Sequence, residues 1–181
     1  MSKLSESMMA NTSKPALRPA LLALEDGTVF AGTSCGAQGE AFGEICFNTS
    51  LEGYLEVVTD PSYAGQIVAM TYPQIGNYGV NIGDAQAAHP ALRGLVVRDL
   101  CFTPSNWRSE LSLPDYLARE GVVAIEGIDT RELVRHVREH GAMRAALSTE
   151  DTDAASLVAK VRASEPLVGA NYVQTVSCAE P

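Results

Sequence analysis

The sequence predicts an α/β domain in which an antiparallel β meander is followed by alternating strands and helices. Apolar residues recur with a period of about two up to Asp99, which is typical of half-buried strands. Beyond Asp99 the period changes to about 3.6, which is typical of amphipathic helices. Joints rich in glycine or proline separate the strand-like stretches. This order of elements indicates helices packed on a sheet.

The first two strands are predicted to form a hairpin. Residues 20–25 (A-L-L-A-L-E) and residues 28–32 (T-V-F-A-G) flank the dipeptide Asp26-Gly27. Asp-Gly favours a type I′ turn, in which both central residues have positive φ. Further short strands are predicted around residues 44–48, 66–72 and 93–99.

A short helix and a buried strand come next. Ser112 and Pro114 are typical of the start of a helix, and Gly121 is typical of its end. The apolar run V-V-A-I at residues 122–125 indicates a strand that is buried on both faces.

The helix after this strand has clear signals at both ends. Asp129 and Glu132 have the spacing of a capping box, with Asp in place of the usual Ser or Thr. Gly141 can supply the left-handed residue that ends the helix. We expect a returning strand over residues 142–147 and a last helix over residues 153–163.

Residues 44–73 carry a dense group of small hydroxyl and amide side chains between strand-like stretches. Two interpretations are open from the residues alone. The loop faces a ligand, or its polar groups only cap and turn the backbone. The residues concerned are Asn48, Thr49, Ser50, Tyr54, Thr59, Asp60, Ser62 and Tyr63.

Composition limits the classes of partner. The 181 residues suffice for one compact domain or a domain with a small appendage. A net charge of −9 opposes binding to nucleic acid, whose affinity comes largely from cationic side chains. The chain shows no apolar run of about 18 residues and no apolar signal segment at its start. We therefore expect no nucleic acid, no membrane and a cytoplasmic location.

No catalytic residue, cofactor or metal is assigned to this chain. A glutamine hydrolase needs a cysteine on a sharp turn flanked by glycines, and no cysteine here has G-x-C-x-G surroundings. The phosphate-binding glycine patterns of ATP sites are absent, and no C-x-x-C pair indicates zinc. His136 and His140 have the spacing of metal ligands on a helix, but we interpret them as exposed bystanders.

Two features of the sequence, a run of arginines and a single tryptophan, each have two interpretations. Arg131, Arg135 and Arg138 form a basic stripe on one helix, which is either a solvated face or a docking interface. Trp107 is the only tryptophan, in the run S-N-W-R at residues 105–108. We expect Trp107 to fill the edge of the core while its neighbours fasten the loop, with an interface role as the alternative.

Five blocks in one order carry a resemblance to a known family. They are F-N-T-S (47–50), G-Y-L-E-V-V-T-D-P-S-Y (53–63), T-Y-P-Q-I-G-N-Y-G (71–79), S-N-W-R (105–108) and I-D-T-R-E-L-V-R-H-V-R-E-H-G (128–141). Over roughly residues 20–147 the chain resembles the amino-terminal domain of the small, glutamine-hydrolysing subunit of carbamoyl phosphate synthetase. The resemblance implies a swivelling β/β/α domain.

The resemblance also implies a division of the chain. Residues 1–14 are polar and aperiodic and are expected to be a disordered leader. Residues 15–150 correspond to the small-chain amino-terminal domain. Residues 151–181 correspond to the last helix and the approach to the linker of a glutamine amidotransferase domain, which this sequence does not contain.

The implied activity belongs to a heterodimeric ligase. The assembled enzyme makes carbamoyl phosphate from glutamine, bicarbonate and two ATP for arginine and pyrimidine biosynthesis, with ATP and magnesium on the large subunit. This domain walls the glutamine site and contacts the large subunit, and we expect no activity from it alone. By resemblance Ser62, in the T-D-P-S-Y block, reaches toward glutamine. As possible interface residues, Arg131, Arg135 and Arg138 are expected to dock in part on the large subunit or on the amidotransferase domain, which is the other expected partner.

Two alternatives remain open. The chain is a stand-alone, non-catalytic binding module for an amino acid or peptide, or it is an independent enzyme that uses Asp60, Tyr63 or Tyr72.

Overall fold

The structure is a computed structural model, and it describes residues 18–167 and 169–177. Its strands in these ranges are β1 (Pro19–Leu24), β2 (Val29–Ser34), β3 (Glu40–Asn48), β4 (Gln66–Met70), β5 (Gln74–Ile75), β6 (Gly94–Val96), β7 (Asp99–Leu100), β8 (Val123–Glu126) and β9 (Met143–Ser148). Its α-helices are α1 (Tyr54–Thr59), α2 (Leu113–Arg119), α3 (Thr130–His140), α4 (Ala154–Ala163) and α5 (Val173–Val176). The expected leader, residues 1–14, lies outside the described residues.

Seven strands close into a barrel in the order β1-β2-β8-β6-β4-β3-β9. The neighbours β3, β4, β6 and β8 run parallel to one another, and the other neighbouring pairs are antiparallel. Strands β5 and β7 form a separate parallel pair. Strands and helices alternate in the second half of the chain, so the predicted α/β class is confirmed.

The strand order corrects the predicted antiparallel meander, which ends after the first hairpin. Strand β2 pairs with β1 and β8, whereas β3 pairs with β4 and β9. The connection after β2 gives the physical reason. The Cys35 N–H donates to the Ala124 carbonyl at 3.0 Å and the Ala37 N–H donates to the Val122 carbonyl at 2.8 Å. The chain therefore follows β8 before it turns into β3.

The first hairpin forms where predicted, but its turn is of another type. The Gly27 N–H donates to the Leu24 carbonyl at 3.0 Å, and Gly27 has φ +103°. Asp26 does not have a positive φ, so the turn is not the predicted type I′. Its pattern is the three-residue loop in which a turn is followed by one left-handed glycine.

Buried side chains alternate between the barrel interior and the layers outside it. In β4, Ile67 and Ala69 belong to the interior cluster, whereas Val68 and Met70 belong to the cluster that includes residues of α1 and α2. This alternation follows from the period of two in a strand. Leu133 of α3 joins the interior cluster, and α4 packs on the outside of β1 and β9. Burying one such aliphatic side chain contributes about 1.5–3 kcal/mol.

The predicted helix ends are confirmed. Ser112 caps α2 by accepting a hydrogen bond from the Asp115 N–H, and Gly121 lies beyond its end with φ +74°. Asp129 caps α3, since its Oδ1 accepts from the Glu132 N–H at 3.0 Å. Gly141 ends α3 at the predicted position with φ +89° and ψ 173°, a positive φ but not the predicted left-handed helical conformation. Such a cap contributes about 1 kcal/mol.

Arg144 of β9 joins the first hairpin to the end of α4. Its side chain contacts the Glu25 carboxylate at 2.8 Å, and its backbone N–H donates to the same carboxylate at 2.9 Å. Its Nη1 donates to the Ser164 carbonyl at 2.7 Å, beyond the last turn of α4. These bonds lower the pKa of Glu25, the backbone bond from Arg144 most of all, although burial opposes the shift.

We predict that Arg144→Met lowers the free energy of unfolding by about 2 kcal/mol, because it removes charge-assisted hydrogen bonds from half-buried partners. Chemical denaturation measures this loss. Arg119→Met is the matched control, since Arg119 pairs with Glu120 from an exposed position and such pairs contribute about 0–1 kcal/mol.

The same variant has a pH signature. The pKa of Glu25 is lower in the folded chain, so its contribution is present above the ordinary carboxyl pKa and is lost as the pH falls through the lowered value. The difference in free energy of unfolding between wild type and Arg144→Met should therefore become smaller at acidic pH. Equal losses for Arg144→Met and Arg119→Met would contradict the anchoring role.

Candidate functional site

The polar loop between β3 and β4 contains helix α1 and a 3-10 turn at Pro61–Tyr63. Helix α1 begins after Gly53, which has φ +81°. The Tyr78 hydroxyl accepts hydrogen bonds from the N–H groups of Gly53 at 2.6 Å and Tyr54 at 3.3 Å. It therefore serves as the cap of α1 from a distant part of the chain.

Two stacked tyrosines lock this loop to the segment after β5. The rings of Tyr54 and Tyr78 lie 4.2 Å apart and within 19° of parallel. The Tyr54 hydroxyl donates to the Gly79 carbonyl at 2.6 Å. Burial raises the pKa of both hydroxyls, so both keep their protons near neutral pH. Tyr54 and Tyr78 come from two different sequence blocks of the family resemblance, and together they fasten the loop to the segment after β5.

Other polar groups of the loop also bind backbone. The buried Thr59 hydroxyl donates to the Leu55 carbonyl at 2.8 Å and accepts from the Gln86 N–H at 2.9 Å. The Asp60 carboxylate accepts from the Ser62 N–H at 2.8 Å. The interpretation that these groups cap and turn the backbone is therefore correct for Tyr54, Thr59 and Asp60.

Ser62 differs from these neighbours. It lies in the 3-10 turn with an exposed side chain, and its hydroxyl makes no hydrogen bond within the described part of the chain. The turn is braced by Asn48, whose Nδ2 donates to the Tyr63 hydroxyl at 2.9 Å. Asn48 also accepts from the Ser50 N–H at 2.7 Å. The arrangement presents the Ser62 hydroxyl on a braced turn. Thr49 and Ser50 are also exposed, and their hydroxyls likewise make no hydrogen bond among the described residues.

The thiol of Cys46 is unsuited to nucleophilic attack. Burial, with a smaller effect from the charge of Glu44, raises the pKa of Cys46 to about 12. Its Sγ contacts the Gln66 amide oxygen at 3.6 Å. A thiolate is the reactive form of cysteine, and this thiol is protonated at neutral pH. Cys178 lies outside the described residues.

Helix α3 places its three arginines on the surface. Arg131, Arg135 and Arg138 are all exposed, as expected for either a solvated face or a docking interface. Glu132 and Glu139 line the same shallow depression as Arg131 and Arg135. Asp129 lines this depression as well, so Arg131 and Arg135 share it with three carboxylates and the surface is mixed in charge.

His136 is not the exposed bystander that its sequence position predicts. Its Nε2 lies 2.6 Å from Asp26 Oδ2, and its side chain is only 21% exposed. Its ring stacks on His140 at 4.3 Å. Burial would raise the pKa of Asp26, but hydrogen bonds from Thr28 and His136 outweigh burial and lower it. Across residues 18–167 and 169–177, no cluster of three or more potential ligands could hold a metal ion.

Trp107 corrects a second expectation. Its side chain is 92% exposed, so it does not fill the edge of the core. The neighbouring residues do fasten the loop, since Arg108 contacts Asp84 at 3.3 Å and the Asn106 side chain accepts from the Arg108 N–H at 3.1 Å. The Ser105 N–H also donates to the Asn77 carbonyl at 2.9 Å. These bonds hold the loop so that Trp107 points into solvent.

The described helices include none that is long and apolar enough to cross a membrane.

Comparison with known proteins agrees with the blocks read from the sequence. Residues 22–147 match the family model described as the CPSase domain of the carbamoyl-phosphate synthase small chain. This chain belongs to that family. The resemblance of residues 20–147 is therefore confirmed, and Ser62, Trp107 and the α3 arginines all lie inside the matched range.

Relatives named carbamoyl phosphate synthase small chain are similar over most of this chain. The protein of Rhodopirellula baltica is 58% identical over 164 residues, which is 91% of this chain and 42% of the relative. The proteins of Nitratidesulfovibrio vulgaris and Syntrophotalea carbinolica are 56% and 52% identical over 162 residues, each 90% of this chain and 43% of the relative. The chain thus spans less than half the length of these small chains.

We predict that Tyr78→Phe lowers the free energy of unfolding by about 1–2 kcal/mol, because two N–H groups at the start of α1 lose their acceptor. Thermal or chemical denaturation measures the change. Tyr116→Phe is the control, since Tyr116 is a buried tyrosine, whereas Tyr78 is half-buried, and the Tyr116 hydroxyl makes no hydrogen bond within the described residues. A loss no larger than that of Tyr116→Phe would show that Tyr78 is not a cap.

Proposed function

We propose that this chain forms the part of a carbamoyl phosphate synthase small chain that walls the glutamine site and contacts the large subunit. Family membership supports the small-chain role, and the exposed Ser62 hydroxyl on its braced turn is the observation that carries the glutamine-site role. The assembled enzyme combines ammonia from glutamine with bicarbonate and two ATP to make carbamoyl phosphate. The product serves arginine and pyrimidine biosynthesis.

Ser62 has the chemistry that a contact to glutamine requires. A hydroxyl can donate to a carbonyl or carboxylate oxygen and accept from an ammonium or amide, according to its rotamer. The Asp60 contact to its backbone N–H and the Asn48 contact to Tyr63 already hold the turn. Little conformational freedom is therefore lost when a ligand binds.

The hydrolytic step is assigned to a part of the small chain outside this sequence. The protonated Cys46 thiol argues against hydrolysis at that residue. The relatives are more than twice as long as the matched part, which leaves room for a glutamine amidotransferase domain. We place ATP and magnesium on the large subunit and no cofactor on this domain. A wall of protein around the released ammonia keeps it from protonation by bulk water.

We predict that Ser62→Ala in the complete small chain, assembled with its large subunit, raises the KM for glutamine about tenfold to a hundredfold. This range corresponds to one lost hydrogen bond to a charged ligand, about 1.5–3 kcal/mol. Steady-state glutamine-dependent synthesis measures the effect, and synthesis from free ammonia should be unchanged because it needs no glutamine.

Ser105→Ala is the matched control, an exposed serine in the loop that carries Trp107. An unchanged KM for glutamine in Ser62→Ala would refute the role of Ser62. Measurable binding of glutamine to the isolated 181-residue chain would instead favour a stand-alone binding module.

Contact with the large subunit is proposed through the α3 arginines. The name small chain implies a larger partner in general, and the three arginines are exposed cations on a chain with net charge −9. Local charge of a sign opposite to the whole favours docking on an acidic surface. Trp107, exposed on a fastened loop, is of the residue type that most often anchors interfaces.

We predict that Arg135→Glu weakens association of the complete small chain with the large subunit about tenfold at low ionic strength, and less at high salt because screening reduces the charge effect. Sedimentation or surface-based binding measures the dissociation constant. Arg119→Glu on α2 is the control for a charge reversal on another exposed helix. An unchanged dissociation constant for Arg135→Glu would count against docking through α3.

A further inference from the structure

The segment after α4 packs directly on the glycine that follows the Ser62 turn. Gly65 is buried and has φ +82°. A Cβ atom placed on Gly65 would lie 2.6 Å from both Cζ and Oη of Tyr172, and it would also collide with Cδ1 of Leu167. Two side chains from the end of the described chain thus occupy the space that any larger residue at position 65 would need.

The opposite side of Gly65 is equally close to strand β3. A Cβ atom on Gly43 would collide with the carbonyl oxygen of Gly65. The same carbonyl accepts a hydrogen bond from the Glu44 N–H at 3.2 Å. Gly65 is therefore enclosed between the backbone of β3 and the side chains of Leu167 and Tyr172.

The Ser62 turn leads into this enclosed glycine. The Ala64 N–H donates to the Pro61 carbonyl at 3.2 Å, and the Ser62 N–H donates to the Asp60 carboxylate at 2.8 Å. These short-range bonds make the turn a small rigid unit. Because Gly65 is its exit, a shift of Gly65 changes the direction in which the Ser62 hydroxyl points.

The protein is not tightly packed on every side of Gly65. A cleft of about 560 Å³ lies beside it, lined by Gly43, Gly65, Arg93, Leu167 and Tyr172 among others. On this side Gly65 is therefore held by the two side chains that touch it, while its other side is held by the backbone of β3.

We propose that Leu167 and Tyr172 are positioning residues for Ser62. They hold Gly65 against β3 and so set the orientation of the turn that carries the hydroxyl. Their effect on glutamine use rests on the function proposed above for Ser62, whereas their effect on the turn does not. The segment after α4 is thereby coupled to the Ser62 hydroxyl through two side chains.

The test uses Tyr172→Ala and Leu167→Ala in the complete small chain assembled with its large subunit. Tyr172→Phe is the conservative variant, because it keeps the ring over Gly65. Val173→Ala is the matched control, since Val173 is the next residue and 69% exposed. Amide exchange of Ser62, Tyr63 and Ala64 reports on the turn, and glutamine kinetics report on the hydroxyl.

We expect Tyr172→Ala and Leu167→Ala to speed exchange of these three amides about tenfold, as for the loss of one local contact, with no comparable change elsewhere in the barrel. The KM for glutamine should rise about threefold to tenfold with kcat unchanged, which is the mark of weakened binding. Tyr172→Phe and Val173→Ala should behave like wild type in both measurements.

The two proposals fail in distinguishable ways. If Ser62→Ala leaves the KM for glutamine unchanged, the function proposed for Ser62 is wrong. Faster amide exchange in Tyr172→Ala would still support the positioning role. If exchange of the three amides is unchanged in both alanine variants, the positioning role is overturned whatever Ser62→Ala does. If Tyr172→Ala does not fold, Leu167→Ala decides by the same measurement.

Discussion

Strand β9 closes the barrel, and the positions of the other elements depend on that closure. It pairs antiparallel with β1 along one edge and with β3 along the other, although both strands lie near the start of the chain. Its side chains serve two layers. Ala145 and Leu147 face the interior cluster, and Ala146 faces α4. Without β9 the barrel would have two open edges. The closed interior would then be missing, and so would the surface on which α4 packs.

The parts of the fold that the sequence predicted are those set by local chemistry. The caps Ser112 and Asp129 and the stop at Gly141 act within one turn of their helix, so their signal is present in a few adjacent residues. Alternation also indicates where most strands lie, although β3 begins at Glu40 rather than at the predicted residue 44, and β5 is not predicted. The α/β class follows from the change of period near Asp99.

The features that the sequence did not predict depend on distant partners. At the Asp26-Gly27 turn, Asp26 also contacts His136 on α3. The residues next to Asp26 in the sequence carry no signal of this distant contact. The pairing of β2 with β8 continues beyond β2 through backbone N–H bonds at Cys35 and Ala37, which any residue except proline could make. Trp107 is exposed because the bonds of its neighbours hold the loop outward, whereas composition alone favours burial of an aromatic ring.

The backbone-capping interpretation of the polar loop is correct for several of its groups, and the ligand-facing interpretation is the proposal made for Ser62. Half of the loop's eight polar side chains bind backbone groups, namely those of Asn48, Tyr54, Thr59 and Asp60, and these bonds leave the loop rigid. The rigidity is what gives the exposed Ser62 hydroxyl a defined direction. A flexible loop with the same hydroxyl would have to be ordered by its ligand, and that ordering would weaken binding. Structural polar groups therefore fix the position of an exposed hydroxyl, and only burial and hydrogen-bond partners separate these two kinds of group.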